Sequence, residues 1–184
     1  MKRKTGETEY KFVLVLTVNK LSDADLDALF EAGCDDSTIS TRAGRTYMTF
    51  ARVSTSLKKA ILSAIRNVRA AKIDANVLRV DPYNLVTQAD IARKIGRSRQ
   101  LVHQYVTGVR GGGGFPGPVC EIGDGSQLWS WCEVASWLCE NGLIKESDLR
   151  NAEEVDVINS VLEMEYQRKT RPNLTEEVME AIHS

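Results

Sequence analysis

Cysteine, histidine, proline and long apolar runs are all scarce in this 184-residue chain, and each scarcity removes a class of protein. Cys34, Cys120, Cys132 and Cys139 are spaced too widely for a CxxC pair, and His103 and His183 are too far off to complete a zinc set. Cys132 and Cys139 lie one helical face apart and read as small core residues, so no metal is expected. No run approaches the roughly 20 apolar residues of a membrane-spanning helix. The basic start MKRKTGETEYKF leads into the strand-like VLVLTV with no small-residue cleavage site, so the expectation is a cytoplasmic chain without membrane contact. Two histidines and no compact nucleophile–base constellation argue against an enzyme, and no cofactor is expected.

What is present is ordinary for a globular protein: 42% hydrophobic and 27% charged residues, with room for one domain or two small ones. The net charge of −1 hides strong segmentation. Between Asn84 and Phe115 stand Arg93, Lys94, Arg97, Arg99 and Arg110 against only Asp90, whereas acidic residues dominate beyond Gly142. A basic binding region is compatible with that distribution.

The first segment reads as strand, helix, strand, strand, helix, strand. YKFVLVLTVN is a buried strand, and Ser22 caps a helix over DADLDALFEAG that Gly33 ends. STISTR and RTYMTFARVS form a hairpin about Ala43 and Gly44. SLKKAILSAIRNVRAA puts Leu57, Ile61, Ile65 and Val68 on one helical face, and DANVLRVDPY adds the last strand. This βαββαβ order matches ferredoxin-like domains, which serve many functions and license none alone. Tyr47 and Phe50, at odd spacing, point to opposite sheet faces and read as packing residues rather than an RNA-stacking pair.

Asp81 and Pro82 mark a boundary. Beyond it, Thr87 caps QADIARKIG and Ser98 caps RQLVHQYVTG, with Gly96 and Arg97 between. Ile91, Ile95, Val102 and Tyr105 face inward, and Ala92 lets the second helix cross closely. The polar positions left over are Thr87, Gln88, Arg97, Ser98, Arg99, Gln100, His103, Gln104 and Thr107, on or beside helix 98–108. Their chemistry suits DNA: arginine grips guanine O6 and N7, glutamine pairs with adenine, and serine or helix-start amides hold phosphate.

RGGGGFPGPV follows a helix, lacks a lysine and leads into strand-like VCEIG and SQLWSW, so it is not a GxxxxGK phosphate loop. The glycines instead read as a flexible approach to a hairpin of Val119 to Ile122, a GDGS turn and Gln127 to Trp129. WCEVASWLCENG then closes the segment as a helix with Val134, Trp137 and Leu138 inward. Trp129, Trp131 and Trp137 read as core.

Two capped helices with a glycine turn, FPGPV, LWSW and EVASWL together resemble the winged helix-turn-helix DNA-binding domains of the excisionase and MerR-like superfamily, including phage AlpA-type regulators, over roughly 85–143. The resemblance implies that Arg110 and the glycines, Gly112 and Gly113 among them, lie near the DNA backbone or minor groove as part of a wing.

Past Gly142, Leu149, Val155, Ile158, Val161 and Leu162 recur at helical spacings, and Thr175 is the expected cap of a helix after Pro172. The expected fold is α+β, with a ferredoxin-like dimerisation or sensing domain over 1–82, a winged helix-turn-helix over 83–143 and an acidic helical tail over 144–184. The expected partners are double-stranded DNA, a second copy in a homodimer on an inverted repeat, and a protein bound by the tail. The expected role is a transcriptional repressor. The alternatives are an antitoxin or interaction module with autoregulatory DNA binding, or an excisionase-like architectural factor.

Overall fold

The computed structural model describes residues 6–82, 84–123 and 125–184. The basic first residues, Tyr83 after the boundary proline, and Asp124 within the expected GDGS turn lie outside the described residues. The fold is mixed α and β with antiparallel sheets, and the chain divides into two compact units, 1–82 together with 157–184, and 83–156.

The first unit begins with β1 (Thr8–Leu16), α1 (Asp23–Leu29) and a π-helical turn (Phe30–Cys34), followed by β2 (Ser37–Arg42), β3 (Arg45–Ser54), α2 (Leu57–Ala70) and β4 (Val77–Asp81). The sheet order is β2-β3-β1-β4, with every neighbour antiparallel. Ala43 and Gly44 turn the β2–β3 hairpin with φ of 47° and 71°. The register sets Phe12 opposite Phe50, Leu14 opposite Met48 and Leu14 opposite Val80, so alternate residues of three strands load one face. Phe12 and Phe50 stack with ring centroids 5.2 Å apart. Ala60, Ile61, Ala64, Ile65 and Val68 of α2 are buried. Full burial of each large side chain contributes about 1.5–3 kcal/mol.

The exit of α1 is closed by polar side chains. Gly33 takes φ 86°, and its carbonyl accepts from Arg52 Nη2 and Asn67 Nδ2, both at 2.7 Å. Arg52 also grips Asp36 through two bonds of 2.7 Å and donates to Ser63 Oγ at 3.1 Å. Carbonyls orphaned where the helix ends are thus satisfied inside the unit. At the other end Ser22 and Asp25 form a reciprocal capping box.

Helix α6 (Glu146–Thr170) is continuous, and its residues from Val157 onward group with the sheet. Asn159, 5% exposed, meets the outer edge of β4: its Oδ1 accepts from the Val80 N–H at 2.7 Å, and its Nδ2 donates to the Val80 carbonyl at 3.1 Å. One amide side chain thereby does for Val80 what a neighbouring strand would do. Ile158 and Leu162 are buried as the spacing predicts, but Val161 is 53% exposed, because the α6 face carrying Asn159 is the one turned inward. In α7 (Pro172–His183) the expected cap Thr175 is corrected: Arg171 holds the N-cap position, Pro172 opens the helix, and the Thr175 hydroxyl donates back to the Arg171 carbonyl at 2.7 Å. The expectation for the cysteines also changes, since Cys132 and Cys139 are only half-buried and Cys34 is the buried one.

The second unit comprises β5 (Leu85–Val86), α3 (Gln88–Lys94), α4 (Arg99–Val106), β6 (Cys120–Ile122), β7 (Ser126–Ser130), α5 (Trp131–Glu140) and the start of α6. Its sheet order is β5-β7-β6. Its core is Val86, Ile91, Ala92, Val102, Tyr105, Trp129, Val134, Trp137 and Leu138, with Ile95 partly buried against it. Asn84 ties the start of α5 to α6. Its carbonyl accepts from the Trp131 N–H at 2.7 Å, its Oδ1 from the Cys132 N–H at 3.0 Å, and its Nδ2 donates to Asp156 at 2.7 Å.

Candidate nucleic-acid interface

The geometry of α3 and α4 is set by three local devices. At the start of α3 the Thr87 hydroxyl accepts from the Asp90 N–H at 3.2 Å and donates to Asp90 Oδ2 at 2.6 Å, while that carboxylate accepts the Thr87 N–H at 2.9 Å. Hydrogen bonding from the Thr87 hydroxyl is the main cause that holds the Asp90 carboxyl below its ordinary range. Asp90 also bonds the Arg93 guanidinium, so the one acid of this segment is engaged by the segment itself.

Gly96, at φ 62°, ends α3. The Arg97 N–H reaches back to the Ala92 carbonyl at 2.9 Å and the Gly96 N–H to the Arg93 carbonyl at 3.3 Å, the paired closure of a Schellman motif. Ser98 then caps α4 by accepting from the Leu101 N–H at 3.2 Å. Val102 and Tyr105 turn into the core against Ile91 and Ala92.

That packing fixes what α4 leaves outside. Gln100, His103, Gln104 and Thr107 fall at i, i+3, i+4 and i+7, one stripe of the helix. Gln100, His103 and Thr107 are exposed and Gln104 is half-buried. The Thr107 hydroxyl is engaged at the helix end, donating to the His103 carbonyl at 2.9 Å. Arg97, Ser98 and Arg99 are exposed at the helix start, and Arg110 is exposed beyond its end. Thr87 and Gln88 are half-buried at the start of α3.

Arg99 stands apart from the stripe. It lines a groove of about 380 Å³ together with Thr87, Gln88, Ala89, Gly125, Ser126, Gln127 and Trp129. Ser126 and Gln127 were not among the residues singled out from sequence. The signal available was the period of two along β7, which sets Gln127 on the same side as the buried Trp129.

The glycine run has a definite conformation. Gly111, Gly112, Gly113 and Gly114 have φ of 83°, 73°, 83° and 69°, a succession closed to side-chain-bearing residues except at a cost. A Cβ on Gly111 would sit 2.5 Å from Trp137 Cη2, so the close approach that this glycine permits is to the unit's own core. Trp137 Nε1 donates to the Gly113 carbonyl at 2.9 Å, Trp129 Nε1 donates to the Pro116 carbonyl at 3.1 Å, and Phe115 meets Trp137 edge-on at 5.0 Å. The segment is a strap whose carbonyls satisfy two buried indoles. Gly112 is exposed on its outer side and Gly113 is half-buried. The third tryptophan, Trp131, is only partly buried and carries Lys94 Nζ 4.8 Å above its ring; burial lowers the pKa of that ammonium.

The β6–β7 hairpin differs from a basic wing in composition. Between Pro118 and Trp129 there is no lysine or arginine, and Val119 and Ile122 are 48% and 54% exposed. The cations of this unit therefore concentrate on α3, α4 and the turn between them. No family model, curated protein or solved structure matches this chain.

Proposed function

We propose that this chain is a sequence-specific double-stranded DNA-binding regulator, a repressor acting as a homodimer on an inverted repeat, with α4 entering the major groove. The observation that carries the reading is the polar stripe of exposed Gln100, His103 and Thr107 with half-buried Gln104 on α4, backed by buried Val102 and Tyr105. Base-reading side chains must project from a helix whose opposite face is fixed to a scaffold, and the two faces of α4 divide in that way. The short three-stranded sheet, in which β5 ahead of α3 pairs with the β6–β7 hairpin that follows α4, supports the winged helix-turn-helix reading. The order β2-β3-β1-β4 supports the ferredoxin-like reading of the first unit, the proposed dimerisation or sensing part.

The test is duplex selected from a random pool, followed by mobility-shift titration at fixed salt. Gln100→Ala weakens cognate binding by about 1–3 kcal/mol and relaxes preference at one base position, with helix content retained by circular dichroism. Equal affinity and preference in the variant would sink the recognition-helix assignment.

A protein-interaction or antitoxin role with autoregulatory DNA binding is the second reading. It is favoured by α7, which has no buried residue among those described and exposes Leu174, Val178 and Ile182 at i, i+4 and i+8.

A further inference from the structure

We infer that the groove lined by Arg99, Gln88, Ser126 and Gln127 seats one phosphodiester of the DNA backbone, which makes Arg99 a phosphate contact and leaves base reading to Gln100, His103 and Gln104. The inference rests on the DNA-binding reading above and sharpens it, since residue type alone assigns an arginine at the start of a recognition helix to guanine.

Three observations carry it. The groove of about 380 Å³ is open to solvent and has three walls, the first turn of α3, the first residue of α4, and the β7 end of the hairpin. Its described lining offers one full positive charge, Arg99, with the amides of Gln88 and Gln127, and no carboxylate. Of the nearby acids, Asp90 is held on Thr87 and Arg93 and Glu121 brings Oε1 to 3.8 Å from the Cβ position of Gly125, and neither is among the described lining residues. One cation with neutral donors among the described lining residues matches a singly charged phosphodiester, which carries two acceptor oxygens and no proton.

The helix stripe supplies the complementary argument. Gln100, His103 and Gln104 share a face, whereas Arg99 is turned toward Gln127 and Trp129 at the groove. An arginine committed to that groove sits over the strand backbone when the stripe faces the base edges. The hairpin then contributes through the neutral Gln127 amide, which accounts for a DNA-facing hairpin with no lysine or arginine.

The experiment measures the full chain on a selected duplex and on a random-sequence duplex over a salt series. Arg99→Ala is expected to weaken both by the same factor, to reduce the magnitude of the log Kobs against log salt slope by about 0.9, and to leave the base-preference profile unchanged. Gln127→Glu, an exposed change that adds a carboxylate to the facing wall, is expected to weaken both duplexes equally as well. Relaxed preference at one base position with random-duplex affinity intact would make Arg99 a base reader and overturn the inference. Unchanged affinity in both variants would overturn it too. Inorganic phosphate is the control for a free anion: saturable shifts of the Gln127 side-chain amide without duplex would assign the groove to small anions instead. Wild-type chain that binds neither duplex would fail the DNA-binding reading itself, a result separable from every variant outcome.

Discussion

Replacing Asn159 tests how far a single side chain holds the edge of the first sheet. Asn159→Ala removes both partners of Val80, whose residue is 2% exposed, and leaves a buried N–H and a buried C=O unmatched. Each orphaned group costs about 1–3 kcal/mol, and water entering the vacated space offsets part of the sum, so the expected loss is about 2–4 kcal/mol. Asn159→Asp separates the two bonds. The carboxylate still accepts from the Val80 N–H, but its second oxygen then faces the Val80 carbonyl, acceptor against acceptor. Burial and that carbonyl raise the carboxyl pKa in the folded state, so the folded variant binds a proton more readily than the unfolded one. Stability of the variant therefore rises as pH falls toward about 3.9, where the protonated acid again donates to the carbonyl. Urea unfolding by circular dichroism measures the loss, and hydrogen exchange at the Val80 amide localises it. Tryptophan fluorescence serves as the internal reference, since all three tryptophans lie in residues 83–156. A loss under about 0.5 kcal/mol in Asn159→Ala, with Val80 protection unchanged, would refute the edge-pairing argument.

The glycine strap predicts unequal costs for two neighbouring substitutions. Gly112→Ala meets open space and carries only the left-handed backbone cost, about 1–2 kcal/mol, whereas Gly111→Ala adds a clash with the Trp137 ring, about 1–3 kcal/mol more. Urea unfolding by tryptophan fluorescence checks this, and equal costs would contradict the strap. The lowered Asp90 pKa predicts an acid-sensitive second unit. Its contribution is fully present above the unfolded value of about 3.9 and is lost as pH falls through the lower folded value. Thr87→Ala, which removes the main cause of that shift, is expected to cost about 0.5–2 kcal/mol at neutral pH and to flatten the acid limb; an unchanged pH profile would count against it.

The elements that were legible in the sequence are those fixed by neighbours three or four residues away. Thr87 with Asp90, Ser98 with Leu101, and Gly96 at the turn each act within one helical turn, so their roles follow from spacing alone. Asn159 was not legible, because a polar residue on a charged helix reads as solvent-facing until β4, 79 positions away, supplies its partner. Val161 was misread for the same reason: apolar spacing on α6 admits more than one inward face. The glycines were legible as a loop but not as a strap, since what constrains Gly111 is Trp137, on a helix that follows two strands later. The stripe on α4 follows from its helical period, but Arg99's departure from it needed the hairpin, whose Gln127 and Ser126 reach the groove only through tertiary packing.

The bond between Val80 and Asn159 also sets a clock on biosynthesis. Translation at about 5–20 residues per second puts roughly 4 to 16 s between the emergence of the two partners, since 79 positions separate them. During that interval the nascent chain carries β4 with a bare edge, while residues 83–156 emerge with a core of their own. The inner unit is therefore free to fold before the outer one is finished. Slow codons between the two partners would lengthen the time in which neighbouring nascent chains on a polysome can pair through that edge.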